Sequence, residues 1–257
     1  MPERYEYSLP ISPLREVEAS FGVSPTPQIQ PLNPLELFES LPPDALLFGF
    51  ASDGLPLMLH LRNPQPGPVL VIGDQGCGKT DFLKKLVLST QRLMPPGEIQ
   101  FAALTDFPAE WARVSAPEHL LGVWPVSEPV AADLLEQLVC RVETPDDNQP
   151  TILLFDGLET LLALDDSAQD CLADLLVRGP QTLIWPVVTV NAEQALELPE
   201  WLNFFQTRIF GRIGEAGIAQ QLTSMPGAPL GSLSSNSQFC LRENSHWLKF
   251  WLPSLSE

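Results

Sequence analysis

The chain has 257 residues, 44% of them hydrophobic and 18% charged, which suits one α/β domain with a full core and is too short for two large ones. Its net charge of −18, from 14 Lys and Arg against 32 Asp and Glu, disfavours a DNA-gripping surface, because phosphate neutralisation needs a basic footprint and the only adjacent basic pair is Lys84-Lys85. No run approaches the ~20 consecutive apolar residues of a membrane span, and MPERYEYSLP lacks the basic-then-apolar pattern of a secretory signal.

Prolines at 2, 10, 13, 25, 27, 31, 34, 42 and 43 mark residues 1–44 as a separate N-terminal arm, either laid on the domain or mobile. A single core is expected over 45–257. Residues 45–50 and 55–61 read as two strands around the hairpin signal Ser52-Asp53-Gly54. The apolar run 68–73 ends in glycine and reads as a buried central strand. An amphipathic helix follows, with Phe82, Leu83, Leu86, Val87 and Leu93 on its apolar face, and stops at Met94-Pro95-Pro96-Gly97. Next come a strand over 99–104, a loop, and a helix opened by Ser127 with Pro129 in its first turn. A third apolar run, 151–155, ends in Asp156. A helix over 167–177, a strand over 187–190 ending at Asn191, a strand over 207–213, a short helix over 215–223 and a hairpin of 238–242 with 247–251 complete the chain. Strands alternating with helices predict an α/β fold: a RecA-like, mostly parallel sheet with helices on both faces and hairpins at the start and end of the core. The cysteines Cys77, Cys140, Cys171 and Cys240 form no CxxC pair and read as reduced thiols of a cytoplasmic protein, without a zinc site.

Gly73-Asp74-Gln75-Gly76-Cys77-Gly78-Lys79-Thr80 matches GxxxxGK[ST] at every position, between the strand and helix the motif requires. Its glycines let successive N–H groups turn inward around phosphates, and the helix N-terminus points at them. Lys79 is expected to reach the β- and γ-phosphates of ATP, and Thr80 to ligate Mg²⁺. Asp156 ends the run TILLFD in the Walker B manner, where a carboxylate can hold the same ion. The nucleotide-binding set is therefore Gly73, Gln75, Gly76, Cys77, Gly78, Lys79, Thr80, Asp81 and Asn191. Thr80 and Asp156 serve the metal, and Lys79, Asp156 and Glu159 form the catalytic set. Motor ATPases commonly carry Glu directly after the Walker B Asp, and here that position is Gly157. Glu159 either swings toward the γ-phosphate or sits as a solvated first-turn glutamate. Asp106 is a further carboxylate at a strand end, and Asn191 either senses the γ-phosphate or forms a turn. Arg178, Arg208 and Arg212 are the candidates for an arginine finger.

The serial order of these motifs resembles the FtsK/SpoIIIE branch of the FtsK–HerA P-loop ATPases over roughly residues 45–252. FGFASDGLPLMLHL leads into PVLVIGDQGCGKT as the family's paired strands lead into PHLLVAGxTGSGKS. Asp106-Phe107-Pro108 is similar to its DPK, residues 123–143 to its turn and helix before Walker B, and Thr207-Arg208-Ile209-Phe210 to its TRIAF strand. Residues 227–243 stand where it has a Gly-rich closing loop and strand. Only the P-loop is specific alone. Asp156-Gly157 replaces the family's DE and Val190-Asn191 its TQ; the DPK lysine and a winged-helix segment are absent. The resemblance implies an ATP-binding subunit of a homo-oligomeric ring, hexameric in many members, or of a protein complex. The departures point to slow or partner-dependent hydrolysis. A non-hydrolysing, nucleotide-stabilised scaffold is the alternative, and a DNA-translocating motor the second alternative.

Overall fold

The computed structural model describes residues 42, 44–114, 116, 118–144, 149–243 and 246–254. The proline-rich arm, but for Pro42 and Asp44, lies outside them. Within them, ten strands form one sheet.

Six strands form its parallel block: β3 (Val69–Gly73), β4 (Gln100–Thr105), β5 (Leu120–Trp124), β6 (Thr151–Asp156), β7 (Ile184–Asn191) and β8 (Thr207–Phe210), in the order β8-β3-β7-β6-β4-β5. These are short, nearly uninterrupted apolar runs, as strands covered on both faces must be. Their side chains alternate between two cores. Leu70, Ile72, Leu153 and Phe155 face one; Val69, Val71, Ile152 and Leu154 face the other. From β3 the chain crosses to β4, three places away, and then works back through β6 to β7. The carboxyl ends of β3, β6 and β7 therefore meet at a switch point, with Gly73 opposite Asn191 and Asp156 opposite Thr189.

The remaining strands are antiparallel. β1 (Ala45–Ala51) and β2 (Pro56–His60) form the expected hairpin. Its turn is closed by Gly54 N–H on the Ala51 carbonyl at 3.0 Å and by Leu55 N–H on Asp53 Oδ1 at 3.0 Å. β9 (Gln238–Glu243) and β10 (His246–Trp251) form the second hairpin. The two hairpins are not separate appendages. β10 pairs with β1 and β9 with β8, so the complete order is β2-β1-β10-β9-β8-β3-β7-β6-β4-β5.

Helices cover both faces. α1 (Lys79–Leu93) buries Phe82, Leu83, Leu86 and Val87 on the face shared with β1 and β2. α2 (Pro129–Glu143) and α3 (Asp166–Arg178) pack on the other through Ala131, Leu135, Leu138, Leu172, Leu175 and Leu176. Each fully buried Leu or Phe contributes roughly 1.5–3 kcal/mol. Short helices α4 (Ala192–Ala195), α5 (Pro199–Leu202) and α6 (Ala216–Thr223) complete that layer. No helix among the described residues is long and apolar enough to cross a membrane.

Several expected boundaries move. α2 begins at Pro129, with Glu128 rather than Ser127 before it and no side-chain cap, because proline's fixed φ suits the first helical position. α3 starts earlier than Ser167, since the Asp165 carboxylate accepts from Ala168 N–H at 2.8 Å. β7 starts at Ile184, not Val187. It carries Pro186 without disruption because its ladder with β3 begins only at Val187. β8 ends at Phe210 rather than Ile213, where the chain turns to cover the P-loop. β5, expected as loop, is a strand on the outer edge of the block.

Candidate nucleotide site

The P-loop leaves β3 at Gly73 and enters α1 at Lys79. Gly78 has a left-handed φ of 101°, and a Cβ there would sit 2.6 Å from Asn236 Cα, so no other residue fits without displacement. The loop is fastened from two sides. Asp74 N–H donates to the Arg212 carbonyl at 2.9 Å, and Gly214 N–H donates to Asp74 Oδ2 at 2.7 Å. Asn236 N–H donates to the Cys77 carbonyl at 2.8 Å. Cys77 turns its thiol inward, filling the space that glycine leaves at positions 73 and 211. Burial raises the pKa of that thiol, against the pull of the nearby Lys79 charge. All four cysteines are free. Gln75 and Gly76 at the loop tip are exposed, and the Asp81 carboxylate turns to solvent beside Lys84. α1 has no side-chain cap, which leaves its first N–H groups for a ligand.

Lys79 is nearly buried, and all three of its ammonium donors have acceptors: the carbonyls of Gly73 at 3.0 Å and Asp74 at 2.9 Å, and Asn191 Oδ1 at 2.8 Å. Thr80 Oγ1 donates to Asp156 Oδ2 at 2.8 Å. Thr189 Oγ1 donates to Asp156 Oδ1 at 2.9 Å, and Thr105 Oγ1 approaches Oδ2 at 3.5 Å. Burial raises the Asp156 pKa, opposed by the hydrogen bonds from Thr80 and Thr189. A hydroxyl touching a single carboxylate is a hard-oxygen pair suited to Mg²⁺, which takes few protein ligands and fills its octahedron with water and phosphate oxygens. Among the described residues no group of three or more His, Cys, Asp or Glu could hold a metal ion.

Glu159 lies in the 3₁₀ turn Leu158–Ala163 after β6 and folds back. Its Oε1 accepts from Asn191 Nδ2, and its Oε2 from Asn191 N–H at 3.4 Å. Gly157 has φ +107, and the Glu159 carboxyl carbon lies 3.6 Å from where a residue-157 Cβ would stand. The carboxylate thus occupies the space beside position 157, next to Asp156. Burial raises its pKa, against the hydrogen bonding of backbone N–H groups.

The structure brings Lys79, Thr80, Asp156, Glu159 and Asn191 together and leaves others aside. Asp106 is exposed beyond β4. Arg178 pairs with Asp174 on its own helix, whose end leads into the far edge of the sheet. Arg208 donates to the carbonyls of Leu202 at 2.7 Å and Phe205 at 3.2 Å, tying down that turn. Arg212 is exposed beside the P-loop. Thr105, Thr189, Gln194 and Asn236 were not expected. Thr105 and Thr189 end or nearly end strands flanking β6, a signal that becomes visible only once strand order is known.

No known family model matches the sequence, and no curated protein resembles it closely enough to be matched by sequence. Solved structures do match. Thermomonospora curvata EccC (ATPases 2 and 3), in complex with a signal sequence peptide, aligns with 83% of this chain and 41% of its own at 16% identity and a TM-score of 0.61. The fold is that of the RecA-like P-loop ATPases. EssC (ATPases 2 and 3) from Geobacillus thermodenitrificans aligns with 85% of this chain and 46% of its own at 12% identity and a TM-score of 0.59. The genome packaging NTPase B204 of Sulfolobus turreted icosahedral virus 2, in complex with ATP-gammaS, aligns with 75% of this chain and all of its own at 12% identity and a TM-score of 0.51. This chain thus spans less than half of the first two proteins. The structural neighbours are ATPases and an NTPase, and at these identities the likeness concerns the fold.

Proposed function

We propose that this chain is an ATP-binding subunit of an oligomeric protein machine, of the FtsK/SpoIIIE-like kind, with slow or partner-dependent hydrolysis. One observation carries the reading. Thr80 of the P-loop meets the Asp156 carboxylate, its Oγ1 2.8 Å away, where β3 and β6 end on either side of β7. In this reading the free N–H groups of the loop and α1 receive the phosphates, Lys79 neutralises the terminal ones, and Gln75, Gly76 and Asp81 contribute through backbone N–H groups. Mg²⁺, held through Thr80 and Asp156, would supply charge neutralisation across the β- and γ-phosphates. Glu159 orients the attacking water from the space beside Gly157, and Asn191 stands next to the γ-phosphate position. The neighbours include a type VII secretion ATPase and a genome packaging NTPase, so the partner is protein or DNA; the −18 charge favours protein.

A second reading, a nucleotide-stabilised scaffold, is favoured by Gly157 where a glutamate would act directly. Steady-state ATP hydrolysis, with mass measured in the same sample with and without Mg-ATP, separates the two. The first reading predicts slow turnover that Lys79→Ala abolishes, a ring-sized mass with Mg-ATP, and no stimulation by duplex DNA. Assembly without turnover would favour the scaffold. Stimulation by DNA that fades with salt would overturn the preference for a protein partner.

A further inference from the structure

Asn191 ends β7 directly opposite Gly73, and its carboxamide joins two charged groups of the site, Lys79 and Glu159. Oδ1 accepts from Lys79 Nζ at 2.8 Å. Both amide hydrogens are engaged, one by Glu159 Oε1 and the other by Gln194 Oε1 at 2.7 Å. A carboxamide has two donors and two lone pairs, so only one lone pair remains without a protein partner. Lys79 is equally engaged. An ammonium has three donors, and all three are already bonded.

A phosphate oxygen reaching Lys79 must therefore displace an acceptor. The Gly73 and Asp74 carbonyls belong to a backbone fixed through Arg212, Gly214 and Cys77. The Asn191 side chain is the acceptor that can give way.

We propose that Asn191 is a positioning residue that competes with the incoming phosphate for Lys79 and, through the same carboxamide, ties Glu159 to the outcome. With the phosphate site empty, Lys79, Asn191 and Glu159 form one closed chain. When the terminal phosphates take Lys79, Oδ1 loses its cation and the amide that holds Glu159 is free to reorient. The carboxylate is then released only in the loaded site. This rests on the reading of the P-loop as an ATP site and specifies how that site is regulated. It makes Asn191 a restraint on binding rather than a nucleotide contact.

The test is the ATP affinity, by calorimetry in Mg²⁺ buffer, of the wild-type chain, Asn191→Ala, Glu159→Gln and the double variant. Asn191→Ala should bind ATP ~2- to 10-fold more tightly, the range to which the loss of one competing hydrogen bond corresponds. Asn191→Asp, which gives Lys79 a stronger acceptor, should bind more weakly. The effects of Asn191→Ala, which removes the link, and Glu159→Gln, which leaves Asn191 Nδ2 only a neutral and weaker acceptor, should not add, because both act on the same chain. Weaker or unaltered binding by Asn191→Ala would overturn the restraint, and strict additivity would overturn the tie to Glu159. If the wild-type chain bound no ATP, or bound it as Lys79→Ala does, the ATP-site reading itself would fall; that result is distinct from any ordering of the Asn191 variants.

Discussion

Glu159 shows how one position can take over the neighbourhood of another. A side chain at 157 would be strained at φ +107, and the Glu159 carboxylate lies against the space it would have entered. Removal from water raises the pKa of Glu159 from its ordinary 4.5 in the folded chain. The folded value thus lies above the unfolded one. The stability linked to this group is fully present below pH 4.5 and is lost as pH rises through the folded pKa. Glu159→Gln cannot ionise and escapes that loss. Without nucleotide, the melting temperature of Glu159→Gln relative to wild type should therefore rise as pH goes from acid to neutral. Thermal melts across that range check it, and a difference that does not vary with pH would contradict the burial argument.

The strand–loop–helix unit from β3 to α1 was legible in the sequence because everything it needs is local. An apolar run, a glycine-rich loop and a 3.6-residue apolar stripe follow one another within 25 residues, 69–93. What locks the loop was not legible. Asn236 and the 211–214 turn reach it from more than 130 positions away, and nothing in their local pattern announces that contact. The same reason hid the union of the two hairpins through β1 and β10, and the role of Thr189 beside Asp156. β5 was missed although LLGVW is itself a short apolar run, because Gly122 within it and Pro125 directly after it are loop signals. Pro186 misled the start of β7 because proline marks boundaries unless its missing N–H falls outside a ladder. Gly78 tests the locked loop. Gly78→Ala places a methyl 2.6 Å from Asn236 Cα at a left-handed φ, and should cost about 1–3 kcal/mol, seen as a lower melting temperature. A variant as stable as wild type would mean that the 236 loop does not clamp the P-loop.

Across the whole molecule, one sheet separates two cores and gathers the carboxyl ends of β3, β6 and β7 at one edge. That edge collects Lys79, Thr80, Asp156, Glu159 and Asn191, while Arg178 falls at the opposite one. In this acidic chain of net charge −18, a nearly buried lysine stands near two carboxylates whose pKa burial raises, and in the proposed reading that lysine meets the triphosphate. The most direct test is ATP affinity with and without Mg²⁺ for the wild-type chain, Lys79→Ala and Asp156→Ala. Binding by wild type, none by Lys79→Ala, and a loss in Asp156→Ala confined largely to the Mg²⁺-dependent part is the predicted result. ATP binding that Lys79→Ala leaves unaltered would contradict the central claim.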